Sequence, residues 1–453
     1  MSGEIAFDES VNKILAALEP PVFPARDFPV TDFGAADGQD ITSALQAAIQ
    51  ACHAAGGGRV VVAPGHYTSG PIHLRSRVCL HLEAGATISF PPEPERYLPV
   101  VRAFYEGNEC LNYSPFVYAC GAEHIAITGQ GTLNGNGTDP VWAVDLVERN
   151  AQQGDAARLR EMGEQQTPLA QRTFGGGHGL RPNMIQFIKC RHILIEGVTL
   201  VDSPMWMLHP VLCDHVVVSG ITIHNNVKNG DGFDPECCQW VWVKDCRFAT
   251  RDDGIAVKSG RNVEGRERNV PTTDMVVERC VFDRAPEPAL SRNGFAVGSE
   301  VSGGVARLYV RDCTIHSRLR GIFIKSNTER GGCLEELHFR DIQIDDPDQR
   351  GMAGSLVVGM HYGPENGEGR ENGAYPPVFQ SFSFERLHGS QAQHAFELRG
   401  VEKSLLRNVR LTDCVFEQIQ EGTAVTRHLE GAIFDRVTIN GQPWRADSLV
   451  ATL

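Results

Sequence analysis

The feature that most constrains the fold of this chain is an eight-residue pattern that recurs along much of its length. Each copy reads apolar, any, apolar, any, then Asp, Gly or Arg, then a small apolar residue or Cys, any, and apolar. The copies span residues 193–200, 216–223, 241–248, 275–282, 308–315, 337–344, 409–416 and 432–439. Because the apolar positions alternate with a period of two, each copy predicts a short strand with one buried face.

The spacing of the copies indicates how these strands are arranged. The first six begin at residues 193, 216, 241, 275, 308 and 337, which are steps of 23, 25, 34, 33 and 29 residues. Such steps are too short for strand-helix-strand units and are typical of a solenoid. We therefore predict an all-β chain that folds as a right-handed parallel β-helix, with its strands stacked about 4.8 Å apart. Four cysteines share the sixth repeat position and are predicted to fill the core: Cys246, Cys280, Cys313 and Cys414.

The remaining segments suggest how the solenoid is completed. Residues 40–50 have an amphipathic helical pattern that ends near the glycines at 56–58, and a strand is predicted at 60–62. This helix would cap the open end of the solenoid. We interpret residues 1–27 as an N-terminal extension and 28–453 as a single β-helix domain. A helical, charged insertion at about 140–171 interrupts the repeats and is a candidate cleft wall.

Charge and composition exclude some partners. The formal net charge of −14 argues against a nucleic-acid partner, because binding phosphates requires a basic surface. An anionic sugar would require a locally basic cleft. No apolar run reaches about 18 residues, so no membrane partner is expected. The first ten residues contain neither a basic nor an apolar leader region, which favours a cytoplasmic location, whereas a chain trimmed of its leader would be periplasmic or secreted.

Two glycine-rich stretches, residues 229–235 and 251–260, carry the candidate chemistry. Asp231 and Asp252 are 21 residues apart, about one coil, so we expect them on adjacent turns of one face together with Asp253. Hydrolysis of a glycosidic bond uses one protonated and one ionised carboxyl group. Crowded carboxylates raise one another's pKa and thereby keep one of them protonated. The alternative is that these aspartates only cap turns.

The order of these motifs resembles a known family. Asn229-x-Asp231 is followed by Asp252-Asp253, then by a Gly-Ser segment at 298–299, and then by Arg-Gly-x-x-Ile-Lys at 320–325. This set is similar to the polygalacturonase family of glycoside hydrolases, family 28. Residues 30–38, Val-Thr-Asp-Phe-Gly-Ala-Ala-Asp-Gly, resemble the start of the wider pectate-lyase-like β-helix superfamily. The resemblance covers roughly residues 28–439.

The resemblance implies an inverting hydrolysis of a pectic poly- or oligosaccharide, with no metal and no cofactor. By this match Asp252 would be the general acid, and Asp231 and Asp253 would activate the water. Lys325 matches the family lysine that contacts the sugar carboxylate, a task that suits a compact cation. Lys258, close after the paired aspartates, is a further candidate for substrate contact.

Two departures from the family pattern concern specificity. The usual Gly-His-Gly is replaced by residues 291–294, Ser-Arg-Asn-Gly, and Phe323 stands in place of an arginine. Arg292 or Arg320 would then supply the missing cation from another direction. Alternatively, the subsite holds a neutral sugar such as rhamnose against Phe323, and the substrate is rhamnogalacturonan.

Two further segments resemble family motifs. In residues 203–209, Ser-Pro-Met-Trp-Met-Leu-His, the ring of Trp206 would stack on a sugar and His209 would donate to a hydroxyl. The alternative is a core tryptophan and a turn histidine. Residues 298–304 resemble the version of the motif that is common in exo-acting members, which favours attack at chain ends by a galacturonidase or exo-polygalacturonase.

Two rival functions remain open from the sequence. A calcium-dependent pectate lyase would share the solenoid, and the aspartates would then bind calcium. A non-catalytic glycan-binding β-helix would normally have longer and more regular repeats than steps that vary from 23 to 34 residues. The order of the motifs favours hydrolysis over both.

Overall fold

The structure, a computed structural model, describes residues 2–142, 150–285, 292–316, 319–346, 351–363, 372–421 and 423–444. Among these residues the largest sheet contains 25 strands, which pair in parallel between successive coils apart from one antiparallel pair at its C-terminal end. Most coils also contribute a strand to a third face. The predicted right-handed parallel β-helix is confirmed.

The helices and strands have the following bounds. The α-helices are α1 (Ser2–Ala17), α2 (Thr42–Ala54), α3 (Asn150–Glu164) and α4 (Asn262–Arg268), and short 3-10 turns span Val30–Phe33, Pro94–Tyr97 and Leu169–Gln171. The large sheet consists of Asp27–Pro29, Gly58–Val62, Gly65–Thr68, Val78–Leu82, Ala86–Ser89, Glu123–Gly129, Thr132–Asn134, Arg191–Glu196, Thr199–Val201, Asp214–Ser219, Thr222–Asn225, Gln239–Lys244, Arg247–Thr250, Thr272–Glu278, Val281–Arg284, Val305–His316, Cys333–Asp345, Val378–Ser390, Leu406–Arg407, Arg410–Thr412, Val415–Glu417, Leu429–Glu430, Ile433–Asp435, Thr438–Ile439 and Gln442–Pro443.

The third face, called the site face below, is built from two shorter sheets. Its strands are Ile72–His73, Val117–Cys120, Ile185–Ile188 and Leu208–Val211, then Ile255–Val257, Asn293–Val297, Arg320–Lys325, Met352–Gly359, Ala392–Arg399 and Thr423–Arg427. Phe233 joins the two sheets, because it bridges Leu208 on one side and Ile255 on the other. A separate antiparallel hairpin pairs Val101–Tyr105 with Asn108–Asn112.

The eight-residue repeat has a conformational origin. Its fifth residue has a positive φ in every copy, for example 76° at Gly197 and 56° at Asp245, so the chain turns there between two faces of the coil. The left-handed region favours Gly and tolerates Asp better than most side chains. The sixth residue then points inward, and Cys246, Cys280 and Cys313 are each buried as predicted.

One helix covers an end of the solenoid and another packs on its side. The predicted cap is α2, whose Leu45 and Ile49 are fully buried against the main core. A second helix, α1, lies within the N-terminal extension and was not predicted. It packs on the outside of the large sheet, where Phe7 contacts the ring of Tyr309 at 5.3 Å between centroids.

The interruption of the repeats forms a wall beside the solenoid. Within the predicted insertion, α3 and the 3-10 turn at Leu169–Gln171 are described, whereas residues 143–149 lie outside the described residues. Leu159 of α3 is buried in a small core with Tyr105 of the hairpin. None of the described helices is long and apolar enough to cross a membrane.

Candidate active site

The site face brings the three predicted aspartates together. The Phe233 to Ile255 bridge aligns Asp231 with Asp253 on adjacent coils, and the backbone N–H of Gly232 donates to the carbonyl of Asp253 at 3.0 Å. The sequence had placed Asp231 opposite Asp252, one residue away. Adjacent coils lie about 4.8 Å apart. The register therefore makes Asp231, Asp252 and Asp253 neighbours.

The environment separates the pKa values of Asp252 and Asp253. Burial and then the charge of Asp253 raise the pKa of Asp252. Burial also acts to raise the pKa of Asp253, but the charges of Lys325 and Lys258 outweigh it and lower that pKa. Lys325 Nζ donates to Asp253 Oδ2 at 2.8 Å, and Asn293 Nδ2 donates to Oδ1 at 2.5 Å. One carboxyl group is thus held towards its acid form and its neighbour towards its ionised form.

Asp231 forms a second acidic pair with Asp234. Burial raises the pKa of both groups, and the charge of Asp234 adds to the effect on Asp231. Among the described residues, no N–H or hydroxyl group donates to either oxygen of Asp234. Because the charge of one carboxylate disfavours ionisation of the other, the pair loses its two protons in separate steps.

Lys258 lies beneath these carboxyl groups. Its side chain is buried, with Nζ 3.8 Å from Asp234 Oδ1 and 3.1 Å from Glu300 Oε2. Nζ also lies 4.7 Å from the centroid of the Trp206 ring. Despite burial, the surrounding carboxylates raise the pKa of Lys258. Lys258 therefore stabilises the ionised forms of Asp234 and Glu300.

Three cations surround the aspartates from the next coils. Arg292 Nε lies 3.7 Å from Asp252 Oδ2, and about half of its side chain is exposed. Arg320 and Lys325 both lie over the ring of Phe323, at 4.3 and 5.1 Å from its centroid. Phe323 itself is 6% exposed. The ring thus contacts two cations, which lie on one side of the aspartates within an acidic molecule.

The structure places Trp206 and His209 behind the site. His209 is fully buried, and its Nδ1 lies 3.0 Å from Asn183 Nδ2 and 2.7 Å from Gln186 Nε2. Because Nδ1 accepts from these amides, Nε2 carries the proton and donates to Glu236 Oε2 at 3.0 Å. Trp206 is 4% exposed and packs edge-on against His209. These placements favour the interpretation that both are interior side chains.

Other side chains of this site were not predicted from the sequence. They are Asp234, Asn293, Glu300 and Tyr362. Asp234 aligns with Ala256 and Ala296 on the following coils, and this register is known only from the structure. Tyr362 lies 5.2 Å from Lys325 Nζ, measured to its ring centroid, and no local pattern marks it. Ser291, quoted in the sequence motif, lies outside the described residues.

Comparisons with known proteins agree with this geometry. Residues 112–422 match the model of the glycosyl hydrolases family 28. A probable polygalacturonase of Vitis vinifera is 26% identical over 407 residues, which are 86% of this chain and 74% of the relative. A polygalacturonase of Ralstonia solanacearum is 25% identical over 364 residues, 74% of this chain and 65% of that relative.

Solved structures give the same result for the fold. The crystal structure of a hyperthermoactive exopolygalacturonase from Thermotoga maritima is 34% identical, covers 96% of each chain and superposes with a TM-score of 0.86. A polygalacturonase from Erwinia carotovora is 19% identical, covers 93% of this chain and 99% of that chain, and superposes with a TM-score of 0.62. The latter supports the fold alone. The matched model spans well over half of the chain, and the protein therefore belongs to family 28 of the glycosyl hydrolases and is a glycoside hydrolase.

Proposed function

We propose that this enzyme hydrolyses galacturonide bonds of pectic chains with inversion and acts at chain ends. The proposal is carried by the proximity of three acidic side chains to three cationic ones. The acids are Asp231, Asp252 and Asp253, and the cations are Arg292, Arg320 and Lys325. Asp252 is flanked by Arg292, while Lys325 bonds to Asp253. A sugar carboxylate next to the scissile bond would be attracted by these cations within an otherwise acidic molecule.

The separated pKa values support the assignment of roles. Asp252, with a raised pKa and 15% of its side chain exposed, is the general acid that protonates the leaving oxygen. Asp253, with a lowered pKa, is the carboxylate that accepts the proton of the attacking water. Asp231 is buried beside Asp253 and orients that water. Inversion follows when the water attacks from the face opposite the leaving group.

Galacturonan is favoured over rhamnogalacturonan by the surroundings of Phe323. If this ring packed against a neutral sugar, an apolar face should be open to the cleft. Instead Arg320 and Lys325 lie over the ring, and Tyr362 packs edge-on at 5.9 Å. Phe323 therefore holds cations where a uronate would bind. The polygalacturonases among the relatives support the same substrate class.

Exo action is supported by the wall beside the site and by one relative. The hairpin and α3 share a core, and α3 packs against α4. Such a wall would restrict the cleft on one side and favour chain ends over internal bonds. The Thermotoga maritima relative, an exopolygalacturonase, is alike over nearly the whole chain.

The test is product analysis on defined substrates. Polygalacturonate, galacturonate oligomers and rhamnogalacturonan would be incubated with the enzyme, and products would be sized and measured as reducing sugar. Galacturonate monomer as the first product, without a rapid fall in viscosity, is expected. Products of mixed size would overturn exo action, and cleavage confined to rhamnogalacturonan would overturn the substrate. An unsaturated uronate, seen by its absorbance, would indicate a lyase.

A further inference from the structure

A second group of charged side chains adjoins the aspartates on the other side of Lys258. It comes from five separate segments: the hairpin turn, α3, the residue before α4, and the loops that follow two strands of the site face. Its members are Glu106, Arg160, Arg261, Glu300 and Arg330. None of these residues belongs to the eight-residue repeat. We call this group the arginine cluster.

The contacts within the arginine cluster centre on its two carboxylates. Glu300 Oε1 lies 3.4 Å from Arg261 Nη1 and 3.7 Å from Arg330 Nη2. Glu106 Oε2 lies 2.6 Å from Arg160 Nη2 and 3.9 Å from Arg261 Nη1. Glu300 also bonds to Lys258, which is shared with Asp234. The cluster is thus continuous with the aspartates through a single lysine.

The positive charges in the cluster exceed the negative ones. Three guanidinium groups share two carboxylates, and Lys258, which faces Glu300, is offset on its other side by Asp234. The nearby Glu164 is exposed, accepts a hydrogen bond from Asn262 and is screened by solvent. Arg160 Nε is buried and has no acceptor among the described residues. Burying an excess cation is unfavourable unless an anion compensates it.

The effect of the excess charge is visible at Arg330. This side chain is 3% exposed, and burial together with repulsion from Arg261 lowers its pKa to about 9. Repulsion from Arg160 also contributes to the fall of the Arg261 pKa, after burial. An added anion would relieve both effects. The described side chains of the cluster thus carry one more positive than negative charge.

The cluster is accessible from one side. One third of the Arg160 side chain is exposed, compared with 11% for Arg261 and 3% for Arg330. Its inner side is closed by Gly107, which has a φ of 83° and lies so close to Arg261 that a Cβ there would approach Arg261 to 2.9 Å. An anion entering past Arg160 would therefore meet Arg261 on the way towards Lys258.

We propose that Arg160 and Arg261, with the buried charge of Arg330 behind them, form a second anion subsite, which binds the carboxylate of a uronate unit other than the one held by Lys325. This inference rests on the proposed function, because it assigns the same acidic substrate to a further contact. A single carboxylate matches the excess of one guanidinium over the two glutamates. The planar fork of an arginine suits a two-point bond to a carboxylate.

The test is a binding measurement with the Asp252→Asn variant, which should turn over its ligand too slowly to disturb a titration. Trigalacturonate would be titrated calorimetrically into this parent, into the same protein with Arg160→Gln, and into the same protein with Arg158→Gln. Arg158 is an exposed arginine on the same helix and controls for the loss of one charge from α3. Methyl-esterified trigalacturonate would serve as the neutral ligand.

The subsite predicts that Arg160→Gln weakens trigalacturonate binding about tenfold or more, the range of a charge-assisted hydrogen bond. Binding of the methyl ester should not change, and Arg158→Gln should behave like the parent. Arg160→Lys should recover only part of the affinity, because an ammonium keeps the charge but not the fork. Equal affinity for trigalacturonate with and without Arg160 would overturn the subsite and leave the proposed function standing. A parent that binds no trigalacturonate would overturn both.

Discussion

An aspartate of the large sheet and three aspartates of the site face have pKa values that are shifted in opposite directions. On the large sheet Asp245 sits at the turn position of the repeat, and hydrogen bonds from Arg279 lower its pKa. On the site face, burial raises the pKa values of Asp231, Asp234 and Asp252. The residue type is the same in both places. What differs is access to solvent: 47% of the Asp245 side chain is exposed, compared with 15% for Asp252, and Asp231 and Asp234 are buried.

The comparison separates structural from chemical aspartates. A turn aspartate with an arginine from the next coil satisfies its charge and stays ionised. The same pairing recurs at the turn position of another copy, where Arg386 Nε bonds to Asp341 at 2.6 Å and Arg386 Nη2 bonds to it at 2.9 Å. The site face instead crowds four carboxyl groups around two buried lysines. A motif with acidic residues therefore indicates chemistry only when the fold leaves those acids without full compensation.

The largest expected effect is on turnover by the Asp252→Asn variant. An amide cannot donate the proton that the leaving oxygen needs, so we expect activity to fall by about 10²–10⁴-fold, the usual contribution of a general acid. The measurement is the initial rate of reducing-sugar release from galacturonate oligomers. Asp245→Asn is the matched control, since it makes the same chemical change on the large sheet, and its rate should equal that of the wild type. Equal rates for all three proteins would remove Asp252 from the mechanism.

The next effect concerns Lys325→Met, which removes the cation bonded to Asp253. We expect kcat/KM to fall by about 10–100-fold, as for the loss of a charged hydrogen bond. Because Lys325 lowers the pKa of Asp253, its removal raises that pKa, and the acid side of the pH profile should move to higher pH. The control is Lys244→Met, whose ammonium lies 3.9 Å from the centroid of the Trp242 ring on the large sheet. An acid limb that stays in place would contradict the role of Asp253 as the ionised carboxylate.

The difference between the two faces could be predicted only in part from the sequence. The solenoid and its turns could be predicted because every copy of the repeat carries the same local preference. Asp252 and Asp253 could be found because they are adjacent in the chain. Asp234 could not be distinguished from a turn residue, because its burial depends on Lys258 and on the register of the next coil.

Non-local packing explains the remaining omissions. Phe7, Val11 and Ile14 have helical spacing, so α1 had a signal in the sequence. Its contact with Tyr309 depends on a surface formed some 300 residues later, which no local pattern encodes. The sequence likewise suggested that His209 would donate to a sugar. The structure shows that its nitrogens bond to partners from other coils.

A smaller effect is expected from Arg292→Gln. Arg292 acts to lower the pKa of Asp252, so its loss should raise that pKa further. The protonated acid would then persist to higher pH, and the alkaline limb of the pH profile should move upward while the acid limb stays in place. Arg279→Gln, which removes an arginine from a turn aspartate of the large sheet, should leave both limbs unchanged. A downward shift of the alkaline limb would show that Asp252 does not act as the proton donor.

The smallest effect is on the stability of Asp245→Asn. The side chains of Asp245 and Arg279 are 47% and 45% exposed, so solvent screens the pair and its loss should cost less than about 1 kcal/mol of unfolding free energy. Asparagine tolerates the positive φ of 56° at this turn, so the substitution removes the charge without straining the backbone. Folding lowers the pKa of Asp245, so the ion pair contributes to the free energy of unfolding at any pH above the unfolded pKa of about 3.9. This contribution is lost as the pH falls through the lower pKa of the folded protein. Denaturant unfolding should therefore show a small difference between variant and wild type near neutral pH that disappears in acid. A difference that persists in acid would mean that Asp245 stabilises the turn through its shape rather than its charge.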